Sequence, residues 1–155
     1  MLNTIRARVR AALIVVIAVI ALPAVAPSQA SAGTSRFESR VIAEINAVRA
    51  QQGLAGVGQR GMLAGAAGRH ASRLKRRGQL QHSSTQTLAR RARARVGEIL
   101  AWSSNRRASA RSIVRNWMNS PPHRAVLLDG GFRRVGVGAS RGRRGLYVTA
   151  DFATG

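Results

Sequence analysis

The stretch Val135-Gly136-Val137-Gly138-Ala139-Ser140-Arg141-Gly142-Arg143-Arg144-Gly145-Leu146-Tyr147-Val148-Thr149-Ala150-Asp151-Phe152 decides the fold. Val135, Val137 and Ala139 alternate with residues of another kind, and Leu146, Val148, Ala150 and Phe152 alternate again. A period of two is the signature of a strand. Ser140 to Gly145 is a basic, glycine-containing turn, so the stretch predicts a C-terminal antiparallel hairpin. Upstream the period changes. Ala110, Ile113, Val114, Trp117 and Met118 fall on one helical face, and Pro121-Pro122 is expected to end that helix. Glu98 to Trp102 reads as a short strand, and Arg90 to Arg95 as a short exposed helix. Leu63, Ala67, Ala71 and Leu74 mark another helix, stopped at Gly78. Phe37, Val41, Ile45 and Val48 mark the first, with Ser35 and Glu38 as its capping pair and Gly53 as its stop. Helices first and antiparallel strands last, with no internal repeat, give an α+β layered fold.

Composition narrows the chemistry. The 155 residues hold 26 Lys+Arg, 5 Asp+Glu, 3 His and no Cys, for a net charge of +21. Disulfides, thiolate-bound metals and a cysteine nucleophile are excluded. Any mechanism with paired carboxylates must draw on Glu38, Glu44, Glu98, Asp129 and Asp151. The charge predicts attraction to polyanions. Nucleic acid is the disfavoured one, because the chain is 4% aromatic and no aromatic side chain lies inside the runs Arg90–Arg95 or Arg141–Arg144. These arginines read as solvated; a lipid headgroup or an anionic cell-envelope polymer is the better partner.

Residues 1–32 read as a secretory signal peptide. Arg6, Arg8 and Arg10 precede an apolar run from Ala11 to Ala26, and Ala30-Ser31-Ala32 offers small residues at the cleavage site. Cleavage leaves a single domain over 33–155 and, with three arginines gone, a charge of +18. The expected product is a secreted, monomeric domain with no further membrane span. An uncleaved leader retained as an anchor is the alternative.

Three residues stand out as functional candidates: His82, Glu98 and His123. Two imidazoles and a carboxylate are the donor types of an open site for Zn²⁺ or another divalent metal. They equally suit a hydrogen-bonded network that needs no metal. Ser83 and Ser84 beside His82 invite a Ser-His-Glu reading. On a strand only Ser84 would share a face with His82. His70 reads as an ordinary helix residue, partly buried or exposed. Trp102 and Trp117 read as core or cleft wall.

Order and context of these segments resemble the CAP superfamily (cysteine-rich secretory proteins, antigen 5 and pathogenesis-related-1), in its bacterial secreted form. The resemblance runs from Phe37 to Phe152. Asn46 and Arg49 look like the family's Asn-x-x-Arg, Ala67 and Ala71 like its Ala-x-x-x-Ala, and His82-Ser83-Ser84 like its His-x-Ser. Gly97-Glu98-Ile99-Leu100-Ala101 looks like Gly-Glu-Asn-Ile/Leu-Ala, and Trp117 to Arg124 like Trp-x-x-Ser-Pro-x-His-Arg. Val135 to Gly138, followed by Tyr147 to Phe152, looks like the closing strands. The resemblance implies a three-layer α-β-α sandwich around a central antiparallel sheet. It also implies a cleft holding two histidines, here His82 and His123, and usually two acids, of which Glu98 is one; His82 and His123 are the candidate metal ligands, with Glu98 as a candidate third. Two positions depart from the pattern: Ser120 stands where a second acid is usual, and Ile99 where asparagine is. So short an acid set points away from an enzyme. The expected function is extracellular ligand binding at the His/Glu cleft, the ligand being a lipid, an envelope component or a divalent metal. The alternatives are a metal-dependent hydrolase using His82, Glu98 and His123, or a cationic envelope-adhesion protein.

Overall fold

A computed structural model describes residues 29–155, with side chains from Arg36 onward. The leader expected over 1–32 lies outside the described residues but for its end. Five helices and four strands follow: α1 (Gln29–Gln51), β1 (Gly58–Gln59), α2 (Gly61–Arg77), α3 (Thr85–Ala92), β2 (Val96–Ser103), α4 (Ala110–Met118), α5 (Pro121–Leu127), β3 (Phe132–Gly142) and β4 (Gly145–Thr154). The strands form one sheet in the order β1-β3-β4-β2. β2, β4 and β3 are antiparallel, as expected, and the two-residue β1 adds a parallel edge against β3. The hairpin turn is tighter than the sequence suggests, since Gly142 pairs with Gly145 and leaves only Arg143 and Arg144 between the strands.

Strand alternation sorts the side chains into two layers. On one face Val135, Val137, Ile99, Val148, Ala150 and Phe152 pack with Val41 and Ile45 of α1, Ile113 and Trp117 of α4 and Leu127 of α5. Burial of side chains such as Ile45, Ile99 and Ile113, each fully inaccessible, contributes about 2 kcal/mol apiece. α2 and α3 cover the other face. There the apolar cluster is small, being Leu74, Leu100 and Tyr147. β4 is central, and all but its last residue is buried, as both faces of the sheet are covered.

α2 lies unusually close to β3 because of Gly136 and Gly138. A Cβ on Gly136 would fall 2.0 Å from the Ala64 nitrogen, and one on Gly138 would fall 2.2 Å from the Gly68 nitrogen. Helix backbone rests directly on strand backbone at these two positions.

Three local expectations change. α1 begins at Gln29, so Ser35 is inside the helix and does not cap it; Glu38 instead accepts a hydrogen bond from the Ala139 amide at 2.9 Å. The short basic helix sits earlier than Arg90–Arg95, over Thr85–Ala92, and stops where Arg93 turns left-handed at φ 51°. α4 does end before the proline pair, yet Pro121 and Pro122 open α5. Proline fits a first helical turn, where no amide hydrogen is needed.

Candidate functional site

Glu98 is the hub. It lies on β2, an edge strand, and faces the α2–α3 layer. Its neighbour Gly97 faces the opposite layer, where an added Cβ would meet Val126 and Phe132 at 2.9 Å. The Gly-Glu pair thus lets α5 press on one side of β2 while a carboxylate points to the other.

The Glu98 carboxylate is occupied by the chain's own donors. His82 Nδ1 lies 2.9 Å from Oε1, the Ser83 amide donates to Oε1 at 2.8 Å, and the Ser83 hydroxyl donates to Oε2 at 2.6 Å. A carboxylate accepts, so the His82 proton sits on Nδ1. Nε2 is then the free nitrogen of a side chain that is 61% exposed. Residues 81–84 are irregular rather than a strand, so side chains do not alternate there, and Ser83, not Ser84, bonds Glu98 beside His82. Ser83 donates to Glu98 and not to an imidazole, so the Ser-His-Glu order of a catalytic triad is not formed.

His123 reaches the same region from the other layer. Trp117, 1% exposed, donates its indole N–H to the Leu100 carbonyl at 2.9 Å and pins the end of α4 to β2. Asn119 and Ser120 then lead directly into the first turn of α5, which carries His123. Partial burial holds the His123 imidazole below its ordinary pKa, and the nearby His82 lowers it further. Both imidazoles are therefore within electrostatic reach, one on each side of the β2 edge. Among the described residues no three His, Asp or Glu side chains gather closely enough to hold a metal ion.

Two residues join the site that the sequence reading left outside it. His70 of α2 is 6% exposed, with Nε2 2.9 Å from the Gln81 carbonyl and 3.6 Å from Glu98 Oε2. The carbonyl requires a proton on Nε2, and Arg73 donates to Nδ1 at 3.1 Å, so His70 is neutral. Burial keeps its pKa low, against the pull of Glu98. The signal was present: His70 falls on the same helical face as Leu63, Ala67, Ala71 and Leu74, and all five are buried.

Asp151 is the second. It is the register partner of Glu98 across β2 and β4, is 2% exposed, and its Oδ1 has no hydrogen-bond partner. Burial and then the Glu98 charge push its pKa up to about 7, while Arg73 pulls the other way. The acid missing at Ser120 is thus matched by a different buried carboxyl, supplied from the neighbouring strand. Trp102 departs from its expected place: it is 47% exposed and donates to the Arg144 carbonyl at 3.2 Å.

The Asn-x-x-Arg pair of α1 is structural. Asn46 bonds both the amide and the carbonyl of Val57. Arg49 is fully buried and donates to the carbonyls of Ala55, Leu127, Asp129 and Phe132. Burial lowers its pKa, but four acceptors satisfy the guanidinium.

With helices on both faces of this sheet and two histidines flanking a buried glutamate, the chain has the form of a CAP domain. Residues 42–152 match the sequence profile of the cysteine-rich secretory protein family, CAP, and the chain belongs to that family. No curated protein matches it in sequence. Among solved structures it is similar to an outer surface protein of Borrelia burgdorferi, with TM-score 0.67 and 19% identity over 78% of this chain and 94% of that one. It is also similar to an extracellular, SCP-domain protein of Bacillus anthracis, with TM-score 0.66 and 19% identity over 84% of this chain but only 44% of that one. A third is NaASP2 with Zn²⁺, at TM-score 0.62 and 11% identity over 75% of this chain and 78% of that one. At these identities the likeness establishes the fold.

Proposed function

We propose that this CAP-domain protein is an exported, non-enzymatic binding protein whose cleft takes a divalent cation at His82 and His123. One observation carries the reading: both oxygens of Glu98 are taken up by His82 and Ser83. Glu98 therefore orients an imidazole and is not free to act as a base on bound water or substrate. A carboxylate that holds the far nitrogen of a histidine is the usual support for a metal-binding imidazole. The donor set fits an open, two-imidazole site completed by solvent or ligand. It does not fit a closed structural centre. Bound there, Zn²⁺ would supply a Lewis-acidic point for an anionic or carbonyl ligand. The fold's likeness to extracellular and outer-surface proteins supports export, and among the described residues no helix is long and apolar enough to cross a membrane.

Calorimetry with Zn²⁺ tests the cleft. Wild type is expected to take up one ion, and the His82→Ala/His123→Ala variant to bind at least tenfold more weakly. Equal uptake by the two proteins would sink the reading. Hydrolytic turnover that requires Zn²⁺ and vanishes in Glu98→Gln would establish the hydrolase instead.

A second reading, adhesion to an anionic envelope polymer or lipid surface, has its own support. Arg36, Arg40, Arg107, Arg111 and Arg141 line an open depression of about 680 Å³ between α1 and the start of α4. Glu44 is its one acid and is held only loosely, 3.5 Å from Arg111.

A further inference from the structure

Behind the Ser83–Glu98 contact, on the α2–α3 side, lies a second pocket of about 300 Å³. This is at the small end of the range for ligand pockets and has room for one sugar-sized molecule. Arg69 and Arg73 of α2 and Arg91 of α3 line it, with the hydroxyls of Ser84 and Thr87 and the carboxyl of Asp151. Neither Glu98 nor His123 does. The pocket is separate from the outward Nε2 of His82.

Two features of its wall point to different halves of one ligand. The arginines form no salt bridge among the described residues. Arg73 is oriented by its bond to His70, and Arg91 stands exposed at the last turn of α3. Three guanidinium groups around one cavity call for an anion, and their fork geometry suits phosphate or carboxylate. Asp151 lines the same pocket within reach of the Arg73 charge, and its Oδ1 is buried without a hydrogen-bond partner. Such a group costs about 1–3 kcal/mol until something donates to it. With its pKa raised to about 7, this carboxyl is an acceptor in one protonation state and a donor in the other, so the partner it needs can do both. An ammonium only donates, and three arginines repel it. A hydroxyl meets both conditions.

We infer that this pocket binds a phosphorylated sugar or polyol, with the phosphate on Arg69, Arg73 and Arg91 and a ligand hydroxyl donating to Asp151. Such chemistry occurs in free sugar phosphates and in the inositol phosphate headgroup of a lipid.

Calorimetry at physiological salt, with glucose 6-phosphate, inorganic phosphate and glucose as probes, tests it. Glucose 6-phosphate is expected to bind at least tenfold more tightly than either half. Arg91→Gln, on an exposed turn that tolerates substitution, is expected to lose at least tenfold, as is Asp151→Ala. The His82→Ala/His123→Ala variant, which abolishes the proposed cation site, is expected to keep full affinity, so the two proposals fail separately. Inorganic phosphate binding as tightly as glucose 6-phosphate, or Arg91→Gln keeping wild-type affinity, would overturn the inference and leave general charge attraction. Vesicles containing phosphatidylinositol distinguish the sources. Binding lost in Arg91→Gln assigns the site to the headgroup, and no vesicle binding beside tight glucose 6-phosphate binding assigns it to the free sugar phosphate. Vesicle binding unchanged by Arg91→Gln counts against the pocket.

Discussion

Asp151 carries the sharpest consequence at the scale of single residues. Its carboxyl is buried against Glu98, and its pKa rises to about 7 from 3.8. The folded state therefore holds a proton that the unfolded chain releases at lower pH. Between about pH 4 and pH 7 the native protein binds more protons here, so this residue's contribution falls as pH rises and levels off above 7. The swing is on the order of 4 kcal/mol for a shift of this size. His70 and His123, with lowered pKa values, act in the opposite sense below their ordinary pKa. The difference between wild type and Asp151→Asn isolates the carboxyl. Urea unfolding across pH 4–8 is expected to show the variant gaining on wild type as pH rises, and matching it near pH 4. A constant offset would mean that Asp151 does not titrate in the fold. Little of this was legible in the sequence. Asp151 stands in an alternating strand like any polar position, and only the register with Glu98 makes it a partner.

Among the elements, the α2–β3 contact governs how the site is held. α2 carries His70 and Arg73, and it lies against the sheet through Gly136 and Gly138. Ala at Gly136 would place a methyl group against helix backbone, which no rotamer change relieves. Destabilisation of about 3 kcal/mol is expected, as in overpacked cores, read as a lower melting temperature. Ala at Gly61, where a Cβ meets nothing within 4 Å, is the matched control. The periodicities of α1, α2, α4, β3 and β4 were readable because each has a buried face. Boundaries were less so. Pro121-Pro122 serves as a stop after one helix and a start for the next, and a sequence rule for proline names both outcomes. His82 to Ser84 has no periodicity at all, and its geometry comes from Glu98 across 16 residues of chain.

For the whole molecule, charge is the property most visible in the sequence and least informative about the fold. Of the five acids, Glu98 and Asp151 are buried, Asp129 pairs with Arg95, Glu44 approaches Arg111 and Glu38 bonds a β3 amide. The partly exposed Asp129 and Glu44 offset only the exposed arginines near them, so positive charge dominates the exterior of the described residues. Adhesion through such a surface is screened over about 8 Å at physiological ionic strength. Protein bound to anionic vesicles or envelope preparations is expected to be released between about 0.15 and 0.5 M salt, measured by sedimentation. Retention at high salt would point to a specific ligand and away from the arginine-lined depression. The family itself was legible because its short motifs occur in order. The gathering of His70, Glu98 and Asp151 was not, since it depends on which strands neighbour which.

Arg49 ties the end of α1 to segments far along the chain. Its acceptors at Leu127, Asp129 and Phe132 lie 78, 80 and 83 residues downstream. A guanidinium cannot be sealed into an apolar interior before those carbonyls exist. Nascent α1 must therefore wait, unsealed, until nearly the whole polypeptide has been made. Contacts of such long range make for slow folding. Under the proposed export, this delay would keep the chain in a state that can still be threaded across a membrane.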